Sequence, residues 1–235
     1  MILEIPLPIL ACGEETSLFK SNHLFSFTNS ASDTSAISLS FFFSDEAATD
    51  LFGAISDNFK FKQKCFNEIE PCLLQVGTTE NKNLLNLIES LNNIKCKLII
   101  IGKIEKKINL LLKKNNINYI NYVDISEEDL IKQYESCDIL TFVSTYEGFG
   151  MPIVEANTIG RCVITSNCCS MPEIANNAAC IVDPHSISSI RAGILKIFNN
   201  KEYRDILIQN GLINSKRFSK DYIHNQYKKL YKTIN

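Results

Sequence analysis

Two glutamates, Glu147 and Glu155, bracket the turn sequence Gly148–Pro152, and their spacing indicates a ligand site. The apolar run 138–143 precedes them and predicts a buried strand. Pro152 suits the first turn of a following helix, where a missing N–H group costs no hydrogen bond. A strand, a glycine turn and a helix N-terminus in this order direct free backbone N–H groups at one point. Such a point favours an anion such as phosphate.

The residue types of this turn suit a ligand that carries hydroxyl groups as well as a phosphate. Gly148 and Gly150 allow the backbone to approach a ligand closely. Glu147 precedes the turn and Glu155 lies near the end of the first helical turn, so both carboxylates can face the same ligand. Carboxylates accept hydrogen bonds from hydroxyl groups, as on a sugar or a ribose. The alternative is an ordinary structural joint, which the combination of two acids, two glycines and a proline disfavours.

Alternating strands and helices are predicted to hold this turn. Their repeated alternation, with continuous apolar strands, predicts an α/β fold with a parallel sheet covered on both faces. Ligands of such sheets lie at the carboxyl ends of the strands, where the loop after Val76 and the Glu147 turn both lie. The predicted strands are 73–76, 98–101, 119–123, 138–143, 162–165 and 180–182. The predicted helices are 83–91, 104–114, one that Ser126 caps, 188–198, 202–211 and 221–234.

The composition narrows the class of function. The 235 residues carry a net charge of −2 and are 45% hydrophobic, which is typical of a globular protein and gives no strong field for nucleic acid. The N-terminus has no basic leader, and Glu4 and Pro6 interrupt its short apolar run. We therefore expect a cytoplasmic protein, either free or peripheral at the inner membrane face, with no nucleic-acid partner.

Nine cysteines are present, and none forms a Cys-x-x-Cys pair. An odd count without metal-ligand spacing favours a reducing compartment over secretion. Cys168 and Cys169 form a vicinal pair in a loop, for which a metal or redox role is an alternative interpretation. Six others lie in or beside apolar runs and are interpreted as small core residues: Cys65, Cys72, Cys96, Cys137, Cys162 and Cys180.

Several separate motifs resemble, in order and spacing, those of family-4 glycosyltransferases, also called glycosyl transferases group 1. Glu147 and Glu155 resemble the Glu-x7-Glu motif of this family. The stretches 74–83, 97–102, 134–138, 160–166, 170–174 and 178–184 resemble its donor-domain strands, loops and helices. The resemblance covers about residues 53 to 235 and implies the GT-B fold, in which two Rossmann-like domains face each other across a cleft.

For this chain the resemblance implies one Rossmann-like domain that binds a nucleotide sugar, at residues 71–218. Residues 1–70 would be a truncated or atypical N-terminal segment and linker. Residues 219–235 would be a C-terminal helix that returns toward the N-terminal part. The Gly-rich acceptor loop and catalytic histidine of the family's N-terminal domain have no recognisable counterpart in residues 1–52, and His23 is assigned no role.

The resemblance implies a retaining transfer of a hexose from a UDP-sugar or GDP-sugar to a glycan or a lipid-linked acceptor. Glu147 would be the catalytic residue, acting on the donor sugar, and Glu155 would hold the ribose hydroxyls. Lys82 would stabilise the charge of the diphosphate, where the family usually also has an arginine and this chain has Thr78 and Thr79. The remaining donor-binding residues would be Gly77, Thr78, Gly148, Phe149, Gly150 and Met151.

Two other interpretations stay open. The chain could be a half-enzyme that binds nucleotide sugar and needs a partner chain for the acceptor, or an inactive relic with a scaffolding role. Residues 1–52 decide among them, since a small sheet that faces Glu147 across a cleft would favour an enzyme. No Asp-x-Asp motif is present, and neither a metal ion nor a cofactor beyond the donor is expected.

Overall fold

Residues 58–234, which a computed structural model describes, form a parallel six-stranded sheet between two layers of helices. The strands are β1 (Cys72–Val76), β2 (Lys97–Ile101), β3 (Asn118–Tyr122), β4 (Ile139–Phe142), β5 (Cys162–Ser166) and β6 (Cys180–Val182). The helices are α1 (Leu84–Ser90), α2 (Lys106–Lys114), α3 (Glu127–Ser136), α4 (Met151–Ile159), α5 (Met171–Ala175), α6 (Ile187–Asn199), α7 (Lys201–Ser215) and α8 (Lys220–Ile234). Two short 3-10 turns cover Glu80–Lys82 and Lys216–Phe218.

The strand order is β3-β2-β1-β4-β5-β6, and each neighbouring pair is parallel. The first three strands build the sheet outward in one direction, and the chain then crosses to β4 on the other side of β1. Leu73 and Leu74 of β1 pair with Ile139 and Leu140 of β4 at this switch point. In such doubly wound sheets a crevice opens beyond the carboxyl ends of the two strands that flank the switch point.

Apolar side chains on both faces of the sheet explain why its strands are continuous apolar runs. Successive residues of a strand point to opposite faces. Leu73, Leu98 and Ile139 therefore pack against α1, α2, α6 and α7 on one face. On the other face, Leu74 and Leu140 pack against α3, α4 and α5. The sheet is thus buried on both sides, as the sequence predicts.

The segment that leads into β1 packs against this sheet domain. Phe59 is only 4% exposed and meets the Tyr134 ring edge-on, with the ring centroids 5.4 Å apart. The N–H group of Lys62 donates to a carbonyl at the end of α4 at 3.1 Å. Lys64 forms an ion pair with Asp138, which is almost fully buried just before β4. Residues 59–64 therefore contact the domain, while the division of the chain at residue 70 stays a prediction.

Arg161, between α4 and β5, is 2% exposed and is bonded to backbone oxygens alone within the described part of the chain. Carbonyl groups at helix C-termini carry partial negative charge, which compensates a buried cation. The guanidinium joins the ends of α3 and α4 to the lead-in segment. Its acceptors, at 2.8 to 3.2 Å, are the carbonyl oxygens of Lys62, Tyr134, Glu135, Ile159 and Gly160.

The structure confirms every strand predicted between residues 73 and 182 to within one residue at each end. Ser126 caps α3 as predicted, since its side chain accepts a hydrogen bond from the N–H group of Asp129. Helix α7 runs four residues beyond the predicted end at Gly211. The interpretation of Cys65 as a core residue is wrong, because this side chain is exposed. The predictions for residues 1–57 lie outside the described residues.

Candidate functional site

The loops after β1 and β4 meet at the switch point of the sheet. The carbonyl oxygen of Asn81 accepts a hydrogen bond from the N–H group of Thr145 at 2.8 Å, and its side-chain amide donates to the carbonyl of Tyr146 at 3.0 Å. The side-chain amide of Asn83 donates to the carbonyl of Val143 at 2.9 Å. The two joints that the sequence places at one edge of the sheet are therefore bonded to each other.

Lys82 and Glu147, one from each loop, form an ion pair across the switch point. The Lys82 Nζ lies 2.6 Å from Oε1 of Glu147, and the two side chains are 20% and 14% exposed. The same ammonium group lies 4.8 Å from the centroid of the Phe142 ring. An ammonium group has three N–H donors, so Lys82 can hold Glu147 and still bind an incoming anion. Sequence analysis named both residues but missed their pairing.

The three glycines of the two loops differ in whether the local structure requires a glycine. Gly77 has a φ of +87°, and a Cβ atom there would lie 3.0 Å from the Lys82 side chain. Gly150 has a φ of +103° and precedes α4 as its N-cap residue. Gly148 is exposed, and a Cβ atom there would meet nothing within 4 Å in the described part of the chain. Neither backbone strain nor packing thus requires glycine at position 148, which leaves room for a ligand.

Two contacts hold the loop between Glu147 and α4. One comes from the residue just before α5, and the other comes from the 3-10 turn Lys216–Phe218. The hydroxyl of Ser170 lies 3.1 Å from the carbonyl oxygen of Glu147 and 2.9 Å from that of Phe149. The Phe149 ring stands edge-on to Phe218, with the ring centroids 5.7 Å apart. Met151 is the first residue of α4, where the leading N–H groups of a helix have no intrahelical acceptor. The loop is therefore held in shape and ends at a helix N-terminus, a position that favours negative charge.

Glu155 lies one helical turn further along α4 and is half-buried. Its Oε2 atom accepts a hydrogen bond from the Tyr134 hydroxyl at 2.5 Å. Burial raises the pKa of the Glu155 carboxyl above its ordinary value, and the Tyr134 hydrogen bond acts in the opposite direction. Burial, followed by the nearby charge of Glu155, raises the pKa of Tyr134 well above its usual range. The hydroxyl is therefore a firm donor to this carboxylate.

Thr78 contacts a neighbouring loop through its side chain. Its hydroxyl donates to the carbonyl of Lys103, beyond β2, at 2.7 Å. A Cβ atom at Gly102 would lie 3.0 Å from this hydroxyl oxygen, so the two loops touch. The hydroxyl proton of Thr78 is therefore already engaged within the protein.

Four residues that shape the site were missed by sequence analysis: Asn81, Asn83, Tyr134 and Ser170. Asn83 has a φ of 59°, and asparagine is among the few residues that adopt this conformation readily, so its type was a usable signal. Asn81 and Ser170 form hydrogen bonds to loops that are far away in the sequence. Tyr134 likewise forms a hydrogen bond to a residue of α4. Nothing local in the sequence marks those three contacts.

The described residues also bear on three other kinds of feature: a cavity, a metal site and a membrane-spanning helix. A cavity of about 560 Å³ lies at the opposite edge of the sheet, between the residues before β1 and the start of α7. The thiol of Cys168 lies 3.4 Å from the carbonyl oxygen of Thr145, and burial raises its pKa. Within residues 58–234 no group of three or more His, Cys, Asp or Glu side chains is placed to hold a metal ion. The same residues contain no helix with the length and hydrophobicity needed to span a membrane.

Two curated proteins with related sequences are named as glycosyltransferases and are much longer than the matched region. The chain is 36% identical over 118 residues to O-antigen chain mannosyltransferase B of Escherichia coli, which covers 50% of this chain and 30% of that protein. It is 29% identical over 153 residues to an uncharacterised glycosyltransferase of Methanocaldococcus jannaschii, which covers 63% of this chain and 44% of that protein. The chain therefore spans less than half the length of both relatives.

Solved structures share the fold at low sequence identity. The C-terminal domain of a glycosyl transferase group 1 family protein from Francisella tularensis matches with a TM-score of 0.59 and 19% identity, over 70% of this chain and 97% of that domain. The Anabaena protein HepE, solved with UDP and glucose, matches with a TM-score of 0.61 and 16% identity, over 70% of this chain and 48% of that one. Residues 56–213 match the family described as glycosyl transferases group 1, and the chain belongs to this family.

Proposed function

We propose that the chain binds a nucleoside diphosphate sugar at the carboxyl edge of its sheet and transfers a hexose to a glycan or lipid-linked acceptor with retention of configuration. The observation that carries this proposal is the convergence of the β1 and β4 loops, which brings Lys82 and Glu147 within 2.6 Å of each other. Cation, carboxylate and helix terminus then share one crevice. Relatives named as mannosyltransferases favour a hexose as the transferred group.

In the proposed complex each part of the donor meets the group that suits its chemistry. The diphosphate contacts the Lys82 ammonium and the N–H group of Met151 at the start of α4. The space beside Gly148 admits the phosphates or the sugar. The sugar hydroxyls reach Glu147, and the ribose hydroxyls reach Glu155 further along the same helix. This arrangement is supported by the pairing of Lys82 with Glu147 and by the position of Glu155 on the helix that Met151 begins.

The proposed reaction exchanges one bond at the anomeric carbon for another. The bond to the diphosphate oxygen breaks, and its electron pair leaves with the nucleoside diphosphate. The acceptor oxygen bonds to the anomeric carbon on the same face, and its proton passes to the departing diphosphate. Positive charge grows on the sugar and negative charge on the diphosphate. The Glu147 carboxylate stabilises the first and Lys82 the second, so their pairing places both charges where they are needed.

The second candidate is a binding module that holds the donor and takes its acceptor wall from elsewhere. The specific observation in its favour is the match to a single C-terminal domain, of which 97% is covered. In that case the wall comes from residues outside 58–234 or from a partner chain. Orientation of the two substrates supplies up to roughly 7–11 kcal/mol of barrier lowering in favourable cases, so a domain that lacks the wall would bind donor without turning it over.

A binding screen followed by a transfer assay separates these functions. Thermal shifts are measured with UDP, GDP, UDP-glucose and GDP-mannose, with adenosine as the control that has no phosphate. Transfer from radiolabelled donors to mixed glycans is then measured with and without cell lysate. Binding with transfer by the purified chain supports the enzyme, and NMR of the product reports its anomeric configuration. Binding with transfer only in lysate supports the module, and absence of nucleotide binding refutes both.

A further inference from the structure

We infer that Tyr134 is a positioning residue of the donor site: its buried hydroxyl fixes one oxygen of the Glu155 carboxylate and presents the other to the ribose hydroxyls of the nucleotide. This inference rests on the proposed function, because it assigns the means by which α3 prepares α4 for the nucleotide. Tyr134 touches Glu155 and not the ligand, so its effect on binding is indirect.

The geometry fixes the direction from which Tyr134 reaches the carboxylate. Tyr134 is 0% exposed, and its ring packs against Phe59 with the centroids 5.4 Å apart. Its hydroxyl therefore approaches Glu155 from inside the protein and bonds to Oε2 at 2.5 Å. Glu155 itself keeps part of its surface exposed. The other carboxylate oxygen, Oε1, accepts no hydrogen bond within residues 58–234 and is therefore the one available to a ligand.

Among the described residues, the hydrogen bond from Tyr134 is the contact that favours the ionised form of Glu155. No lysine, arginine or histidine forms an ion pair with Glu155 in the described part of the chain, and Lys82 is already paired with Glu147. Burial and the neighbouring charge of Glu127, at the start of α3, both raise the pKa of Glu155, whereas the Tyr134 hydrogen bond lowers it. A ribose donates its hydroxyl protons, so it binds more strongly to the carboxylate form, which is the better acceptor.

If Tyr134 had only a structural role, its hydrogen bond to Glu155 would contribute to stability and would not affect nucleotide binding. A positioning role has a further consequence for the pH dependence of binding. Nucleotide affinity falls as the pH falls through the Glu155 pKa, because protonation removes the charge that makes this carboxylate a strong acceptor for the ribose. Loss of the Tyr134 hydroxyl raises that pKa, so the fall begins at a higher pH. A structural defect alone would lower stability without moving this midpoint.

The test compares Tyr134→Phe with the wild-type chain by calorimetric titration of UDP and GDP between about pH 4.5 and 8. Phenylalanine keeps the ring that packs on Phe59 and removes the hydroxyl alone. We expect roughly threefold to tenfold weaker binding at neutral pH, a midpoint shifted upward and a smaller preference for the ribonucleotide over its 2′-deoxy analogue. Tyr119→Phe is the matched control, since it removes a hydroxyl bonded to Asn109 on another part of the sheet.

Glu155→Gln completes a double-mutant cycle, which remains informative even if Tyr134→Phe lowers the free energy of unfolding. In the Glu155→Gln background there is no carboxylate to position, so the added Tyr134→Phe change should leave affinity within twofold. Equal losses in both backgrounds, or an unchanged midpoint and ribose preference in Tyr134→Phe, overturn the positioning role and leave the proposed function intact. Failure of the wild-type chain to bind either nucleotide overturns the proposed function and this inference with it.

Discussion

Replacement of Lys82 by methionine separates a ligand-binding role from a structural one. Methionine keeps an apolar stem beside Phe142 and removes the ammonium, so Glu147 loses its partner. At 2.6 Å and an effective dielectric constant near 20, the gross attraction of this pair is roughly 6 kcal/mol. Desolvation and side-chain ordering offset most of that attraction in partly buried pairs. We therefore expect the free energy of unfolding to fall by about 1 kcal/mol.

The effect on nucleotide binding should be larger than the effect on folding. A charge-assisted contact between the ammonium and a phosphate contributes about 1.5–3 kcal/mol, which is roughly a 10- to 150-fold change in affinity. The unpaired carboxylate of Glu147 would also repel the diphosphate, which adds to the loss. Lys82→Met should therefore bind nucleoside diphosphate at least tenfold more weakly while the domain remains folded at 25 °C.

The measurement pairs urea denaturation with calorimetric titration of UDP and GDP at two salt concentrations. Lys114→Met is the control, since this lysine is exposed at the end of α2 and its loss changes the net charge equally. If Lys82→Met and Lys114→Met bind nucleotide equally well, Lys82 does not contact the phosphates. If Lys82→Met instead loses several kcal/mol of stability, the pair is mainly structural and the Coulomb argument above is wrong.

Three further changes test two other residues of the candidate site and the buried Arg161. Glu147→Gln frees Lys82 and removes a negative charge, so UDP affinity should stay or rise while the transfer rate falls at least 100-fold in a radiolabel assay; equal losses in both would assign Glu147 to ground-state binding. Gly148→Ala should change the free energy of unfolding by less than about 0.5 kcal/mol and still weaken donor binding about tenfold, because the ligand needs the open space; unchanged affinity would contradict that use. Arg161→Met should lower the free energy of unfolding by about 3 kcal/mol or more in urea, since it leaves buried carbonyls unpaired, with exposed Arg217→Met as the control; a loss below 1 kcal/mol would mean that the carbonyls find other partners.

Local pattern was sufficient to predict the sheet and the edge at which the loops of the candidate site meet. The apolar run of β4 and the Gly150–Pro152 turn define a strand, a joint and a helix within a few residues, and the structure confirms each. Helix α7 was predicted four residues too short because Gly211 was read as its end. In the structure this glycine lies inside the helix against Asn157, where a Cβ atom would meet the amide oxygen at 2.5 Å.

Contacts between distant segments could not be predicted in the same way. Lys82 and Glu147 were each assigned a chemical role, yet nothing in the sequence reports that residues 65 apart are paired. Tyr134 was interpreted as part of the helix that leads into the strand before Glu147, and its bond to Glu155 depends on how α3 and α4 pack. Cys65 was interpreted as a core residue in or beside an apolar run, but in the structure its side chain is exposed. Pairings of this kind are set by tertiary packing, which a local pattern does not contain.

The bond between Arg161 and Lys62 also constrains the order of events during synthesis of the chain. The two residues are 99 positions apart, so the ribosome needs roughly 5–20 s after Lys62 to make its partner, at about 5–20 residues per second. During that interval the lead-in segment has no guanidinium to bind, and the α4 surface beside it does not yet exist. Phe59 would then remain exposed on the nascent chain. Chaperones and proteases therefore have their best access to this segment before the domain is complete.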